Sequence, residues 1–150
     1  MIQIGVLDTN ILIHYFKNSS LVPTIRNYIE QHNIVSTISV VTKAEILSIA
    51  KRNNWGSKKL NMLHTLLANL NYFDIEYNNI ELMNAYVTID AFSQGKTPAP
   101  NGQMLNNSSR NMGKNDLWIA ATAHVLNAGL LTTDNDFDHL HNLFFEVKKF

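Results

Sequence analysis

Cysteine is absent from the 150 residues. That excludes disulfides, thiolate catalysis and cysteine-based zinc sites, and it fits a reducing cytoplasm. Charge is scarce too: Asp, Glu, Lys and Arg together make up 16%, against about 25% in an average soluble domain. Acids and bases balance at twelve each. Net charge therefore argues neither for nor against a nucleic-acid partner, and any phosphate contact has to come from a local basic patch. No apolar run approaches the length of a membrane span, and the chain starts on a strand without a basic leader, so neither a span nor a signal peptide is expected. There is no HExxH, and His139-Leu140-His141 lacks the helical spacing of a zinc pair.

What is present is a globular chain of one expected domain, long enough to bury roughly 70% of its unfolded surface. Asparagine, with twenty copies, carries much of the polar surface that charge usually would. A thinly charged surface is compatible with a dimer or a standing partner.

The chain is organised around Ile4-Gly5-Val6-Leu7-Asp8-Thr9-Asn10. An apolar run stops at an acid, and a helical pattern starts at once. This reads as a buried strand turning into a helix with a carboxylate at the junction, where open α/β sheets do their chemistry. Helices are then expected over 9–18, 21–32 (capped by Ser20), 39–53, 57–70, 78–94 and 115–127, the last ended by Gly129. Strands are expected at 34–38, 72–77, 130–133 and 143–147, with a short helix near 137–141. Gly95 to Gly113 fits no period and is a long loop, a length that is usually functional or disordered. Alternating strands and helices imply an α/β fold in three layers, with a mostly parallel sheet of about five strands. Right-handed crossovers place Asp8 and Asp134 at one edge.

Two further acids stand oddly. Glu45 shares a helix face with Val41 and Ile49, and Asp116 shares one with Ala120 and Ala123. Each has a plain explanation. Asp8 can cap a helix, Glu45 can pair with Lys43 or Arg52, and Asp116 can be a first-turn acid. Taken together, four acids at one edge without matching bases need cations between them, and oxygen-only ligation suits Mg²⁺ or Mn²⁺.

Leu7-Asp8-Thr9-Asn10-Ile11-Leu12, Ala44-Glu45-Ile46, Asn115-Asp116-Leu117-Trp118-Ile119-Ala120-Ala121-Thr122-Ala123 and Leu131-Thr132-Thr133-Asp134-Asn135-Asp136-Phe137 resemble the four motif blocks of PIN-domain ribonucleases. They are most similar to the VapC-like toxins of toxin–antitoxin pairs. The resemblance spans nearly the whole chain in the family's order. It implies a Mg²⁺- or Mn²⁺-dependent endoribonuclease of the cytoplasm, leaving a 5′-phosphate and a 3′-hydroxyl. It also implies a homodimer, silenced by a small antitoxin. Asp8, Glu45 and Asp116 match the family's core metal ligands. Asp134 matches the fourth, with Asp136 a second candidate, and Asn10 and Thr132 match positions that support the site. Lys43, Arg110 and Lys114, each near a motif acid in sequence, are candidates for positioning RNA phosphates. Two other readings stay open: a PIN-fold module that binds without turnover, and a receiver-like phosphorylation switch using Lys148 or Lys149.

Overall fold

A computed structural model describes residues 3–150; Met1 and Ile2, at the expected entry to the first strand, lie outside the described residues. Five strands form one sheet: β1 (Gln3–Leu7), β2 (Ile34–Ser39), β3 (Asn71–Phe73), β4 (Gly129–Thr132) and β5 (Val147–Lys149). Every pairing is parallel, in the spatial order β3-β2-β1-β4-β5. From β1 the chain winds outward one way to β3, then returns to the other side of β1 for β4 and β5. The order therefore reverses between β1 and β4, and a crevice opens at their carboxyl ends.

Both faces of the sheet are covered. Leu7, Ile38 and Leu131 pack with α1 (Thr9–Phe16), α2 (Val22–Gln31), α3 (Val40–Arg52) and α4 (Ser57–Ala68). Their strand neighbours Val6 and Leu130 point the other way, into a core with α5 (Ile80–Ser93) and α6 (Lys114–Val125). Successive strand residues alternate faces, so a run such as Val6-Leu7 serves two cores at once. Gly5 is fixed by the close approach of β2, since a Cβ there would sit 2.5 Å from Ile34 Cγ2. No helix among the described residues is long and apolar enough to cross a membrane.

The asparagines have a structural use. Asn18, Asn33, Asn54, Asn127 and Asn142 all adopt left-handed backbone, with φ between 48° and 59°. The first four each sit two residues past the last residue of α1, α2, α3 or α6. Asn is the residue that best replaces Gly at that turn, which accounts for helix stops in a chain with few glycines.

Local expectations shift in several places. Asn127, not Gly129, ends α6, and Gly129 opens β4. Ser19 rather than Ser20 accepts the Leu21 N–H ahead of α2, and Asn79 rather than Asn78 caps α5 through the Leu82 N–H. The strand expected over 72–77 is only Asn71–Phe73, because β2 offers just Thr37–Ser39 as partners before turning into α3. The last strand starts at Val147 and not at Leu143, because Phe144 and Phe145 turn into the core first. The short helix before it is a 3-10 turn, Asp138–Leu140. Residues 95–113 are without helix or strand, as the broken pattern implied.

Candidate active site

The crevice between β1 and β4 is where the acids gather. Asp8 follows β1 directly and is 4% exposed. It occupies the N-cap position of α1, yet its carboxylate makes no capping hydrogen bond. Its Oδ2 accepts from Thr132 Oγ1 at 2.8 Å, at the end of β4. The same hydroxyl oxygen accepts the Asp134 N–H at 2.9 Å, so one threonine sets both acids. Asn10 Nδ2 donates to Asp134 Oδ2 at 3.4 Å, and the Asp136 N–H donates to Asp134 Oδ1 at 3.1 Å.

Glu45 enters from α3. The buried stripe of that helix is Thr42, Ile46 and Ala50, so Glu45 stands at its edge and not within it. Neither Lys43 nor Arg52 pairs with it. Its Oε2 accepts from Thr9 Oγ1 at 2.7 Å. Thr9 was missed as a site residue; its signal was adjacency to Asp8 in a turn that aims it across to α3.

Asp116 arrives on the first turn of α6, half-buried. Ala120 and Ala123, its neighbours along the helix face, are fully buried and let α6 lie close against the sheet side. Gly113 caps this helix without a side chain, and a Cβ there would come within 3.1 Å of Asp116 Oδ2.

The acids repel one another. Burial raises Asp8 to about 6, against the hydrogen bond from Thr132, with Asp134 and Glu45 pushing the same way as burial. Asp116 is raised to about 7 by burial and then by the charges of Asp8, Asp136, Glu45 and Asp134. The only ion pair among the described residues is Lys149 with Asp138, so none of these acids has a basic partner.

Of the expected phosphate-positioning cations, Arg110 is tied to the acid-bearing loop: its guanidinium donates to the Asn135 carbonyl at 3.3 Å. Lys114 is the exposed first residue of α6. Lys43 points elsewhere: its ammonium lies 4.8 Å from the Tyr72 ring centre, on the side of α3 that faces α4 and β3. Residues two apart on a helix, as Lys43 and Glu45 are, do not face each other.

Behind the loop lies a buried polar contact. Ser93 Oγ and His139 Nε2 share a hydrogen bond of 2.7 Å, and Ser93 also donates to the sulfur of Met112. Burial, then the charge of Arg110, lowers His139 to about 4. This pair ties the end of α5 and the 95–113 loop to the segment carrying Asp134 and Asp136. Cavities of about 500 and 530 Å³ lie elsewhere and contain none of these acids. Charge, not volume, marks the site.

The PIN domain family model matches residues 5–143. The chain belongs to the PIN domain family. Among solved structures, this PIN domain is similar to chains in VapBC2 from Rickettsia felis bound to promoter DNA. The TM-score there is 0.74 at 19% identity, over 99% of both chains. It also resembles chains in DNA-bound VapBC from Salmonella typhimurium, with a TM-score of 0.70, 17% identity and cover of 99% and 98%. A third is VapBC-1 from nontypeable Haemophilus influenzae, with a TM-score of 0.69, 25% identity and 98% of both chains. No curated protein sequence matches.

Does this acid set suit a hard divalent ion? In chemistry it does: four carboxylates, no thiolate, and, among the described residues, no cation paired with them. Among the described residues no three acids are already arranged to grip one ion together. The fit is one of donor type and charge.

Proposed function

We propose that this PIN domain is a Mg²⁺- or Mn²⁺-dependent endoribonuclease, the toxin of a toxin–antitoxin pair. The observation that carries the reading is that Asp8 and Asp116, raised by burial and mutual repulsion, have no basic partner among the described residues. A fold under pressure for stability alone would pair such charges or replace them.

Asp8, Glu45, Asp116 and Asp134 would hold the ions, with Asp136 within reach as an alternative to Asp134. Bound there, a divalent ion supplies Lewis acidity and neutralises charge on a phosphodiester in transit. The chain's own contribution is orientation. Thr132 fixes Asp8 and the Asp134 backbone in one contact, Asn10 steadies Asp134, and Thr9 holds Glu45 toward Asp8. Supports of this kind set ligand direction and strengthen metal sites. Arg110 and Lys114 flank the site as phosphate-positioning cations.

The antitoxin partner is supported by the VapBC complexes in which similar chains occur. A homodimer and a cytoplasmic setting go with this reading. The test is to incubate the purified chain with structured RNAs, with and without Mg²⁺, alongside Asp8→Asn and Asp116→Asn. Ion-dependent cleavage lost in both variants supports the enzyme. Equal Mn²⁺ uptake by wild type and variants, with no cleavage, would leave a binding module instead. The receiver-like switch loses its lysines: Lys149 is held by Asp138 and Lys148 lies over Tyr28.

A further inference from the structure

Between α3 and the start of α6 lies a cavity of about 360 Å³ lined by Val41, Ala44, Glu45, Ser48, Arg52 and Asn115. Ser48 and Arg52 follow Glu45 by three and seven residues, the spacing that places side chains on one helix face. At 1.5 Å per residue, Arg52 stands about 10 Å along the axis from Glu45. Asn115 comes from the first turn of α6, beside Asp116. The cavity therefore runs from the acids to a guanidinium, with a hydroxyl and an amide on the way.

Among the three arginines Arg52 stands out. Arg26 lies over the Tyr15 ring and Arg110 is on the Asn135 carbonyl. Arg52 is exposed, and Glu45, the acid nearest along its face, accepts from Thr9 instead. A planar donor fork with a free charge, set back from the acids, suits a backbone phosphate and leaves the carboxylates unneutralised.

We propose that this cavity is a substrate subsite. Arg52 takes an RNA phosphate next to the scissile one or the one beyond it, and Ser48 and Asn115 hydrogen-bond the same stretch of backbone. The proposal rests on the ribonuclease reading and gives that site a direction, with the strand running along α3 away from Asp8.

The test compares Arg52→Gln with Lys51→Gln in the full chain. Lys51 is the adjacent residue of equal charge, but it lines a different cavity with Trp55 and Leu60. The probe is a fluorescein-labelled single-stranded oligoribonucleotide, read by anisotropy in its phosphorothioate form and by cleavage in its natural form, with Mn²⁺. Arg52→Gln should weaken binding and raise KM about tenfold, the loss of one charge-assisted contact, with kcat within about twofold. The slope of log affinity against log salt should fall by about 0.7, one single-strand phosphate contact. Lys51→Gln should change neither, and equal thermal midpoints check that both variants fold. Identical affinities and slopes for the two variants would overturn the subsite, as would a loss confined to kcat. If the wild type cuts no RNA, the nuclease reading fails by itself. The binding comparison then still decides, a difference keeping the phosphate subsite and parity removing it.

Discussion

Asp134 and Asp138 are four residues apart and sit in opposite electrostatic settings. Asp138 is 43% exposed at its side chain and paired with Lys149 at 2.7 Å. The Asp134 carboxylate faces the crevice and accepts from Asn10 Nδ2 and the Asp136 N–H, its own N–H is held by Thr132, and among the described residues no cation pairs with it. A lysine is thus at hand in the same region of the fold, yet it serves the acid on the rim. The acids inside are unpaired because of how the elements are laid out, and not because bases are scarce. A rim pair stabilises little and can be lost; an unpaired set with Asp8 buried and the others half-buried is costly and has to be justified by what it binds.

The harshest way to break this contrast is to remove an inner charge. Asp8→Asn or Asp116→Asn should lower ion-dependent RNA cleavage by about 10³-fold or more, the loss of several kcal/mol of charge stabilisation. The same variants should melt no lower than wild type when divalent ions are chelated, because repulsion is relieved. Cleavage kinetics and thermal unfolding in EDTA check both halves together. A variant that keeps its activity would erase the difference between inner and outer acids.

Removing a support is milder. Thr132→Val keeps the shape but takes away the hydroxyl that serves Asp8 and Asp134, and should cost about 10- to 100-fold in Mn²⁺ affinity or activity. Isothermal titration with Mn²⁺ measures it, and Thr133→Val, one residue on, is the control.

The pH dependence sharpens the contrast without mutation. Asp8 and Asp116 ionise at about 6 and about 7 in the folded chain, against 3.8 ordinarily. Between those values the folded chain holds more protons than the unfolded one, so stability falls as pH rises. In EDTA, the thermal midpoint should decline from about pH 4 to about pH 7 from these two groups and then level off. In Asp8→Asn/Asp116→Asn this part of the decline should vanish, and saturating Mn²⁺ should offset it above pH 7.

The smallest effect belongs to the rim. Lys149→Met should change stability by less than about 1 kcal/mol, as exposed ion pairs do, and leave kcat unaltered. A large loss of activity would mean that Lys149 acts on the site through Asn135, which it also contacts, and the inner and outer regions would no longer be separable.

Much of this was legible in the residues. An apolar run ending at Asp8 and another ending near Asp134 put two acids at strand ends, and a sheet with right-handed crossovers puts strand ends on one edge. The 95–113 loop announced itself by its broken period. The direction of Lys43 and the part played by Thr9 were hidden for one shared reason. Nearness in sequence says little about direction on a helix, and Thr9 reaches Glu45 across 36 positions of sequence. Where Leu143 to Val147 would pair was undecidable locally, because Phe144 and Phe145 suit a strand as well as a core.

What the sequence determined by itself is the set of elements, their order and the acid at each junction, since these follow from periodicity and from chain connectivity. The tertiary structure decided which acids stay unpaired, which threonines hold them, and that Arg52 rather than Lys43 shares a cavity with Glu45. Those outcomes depend on which side chains meet across elements far apart in the chain, and on how deeply each is removed from water. Neither quantity is carried by any local stretch of residues.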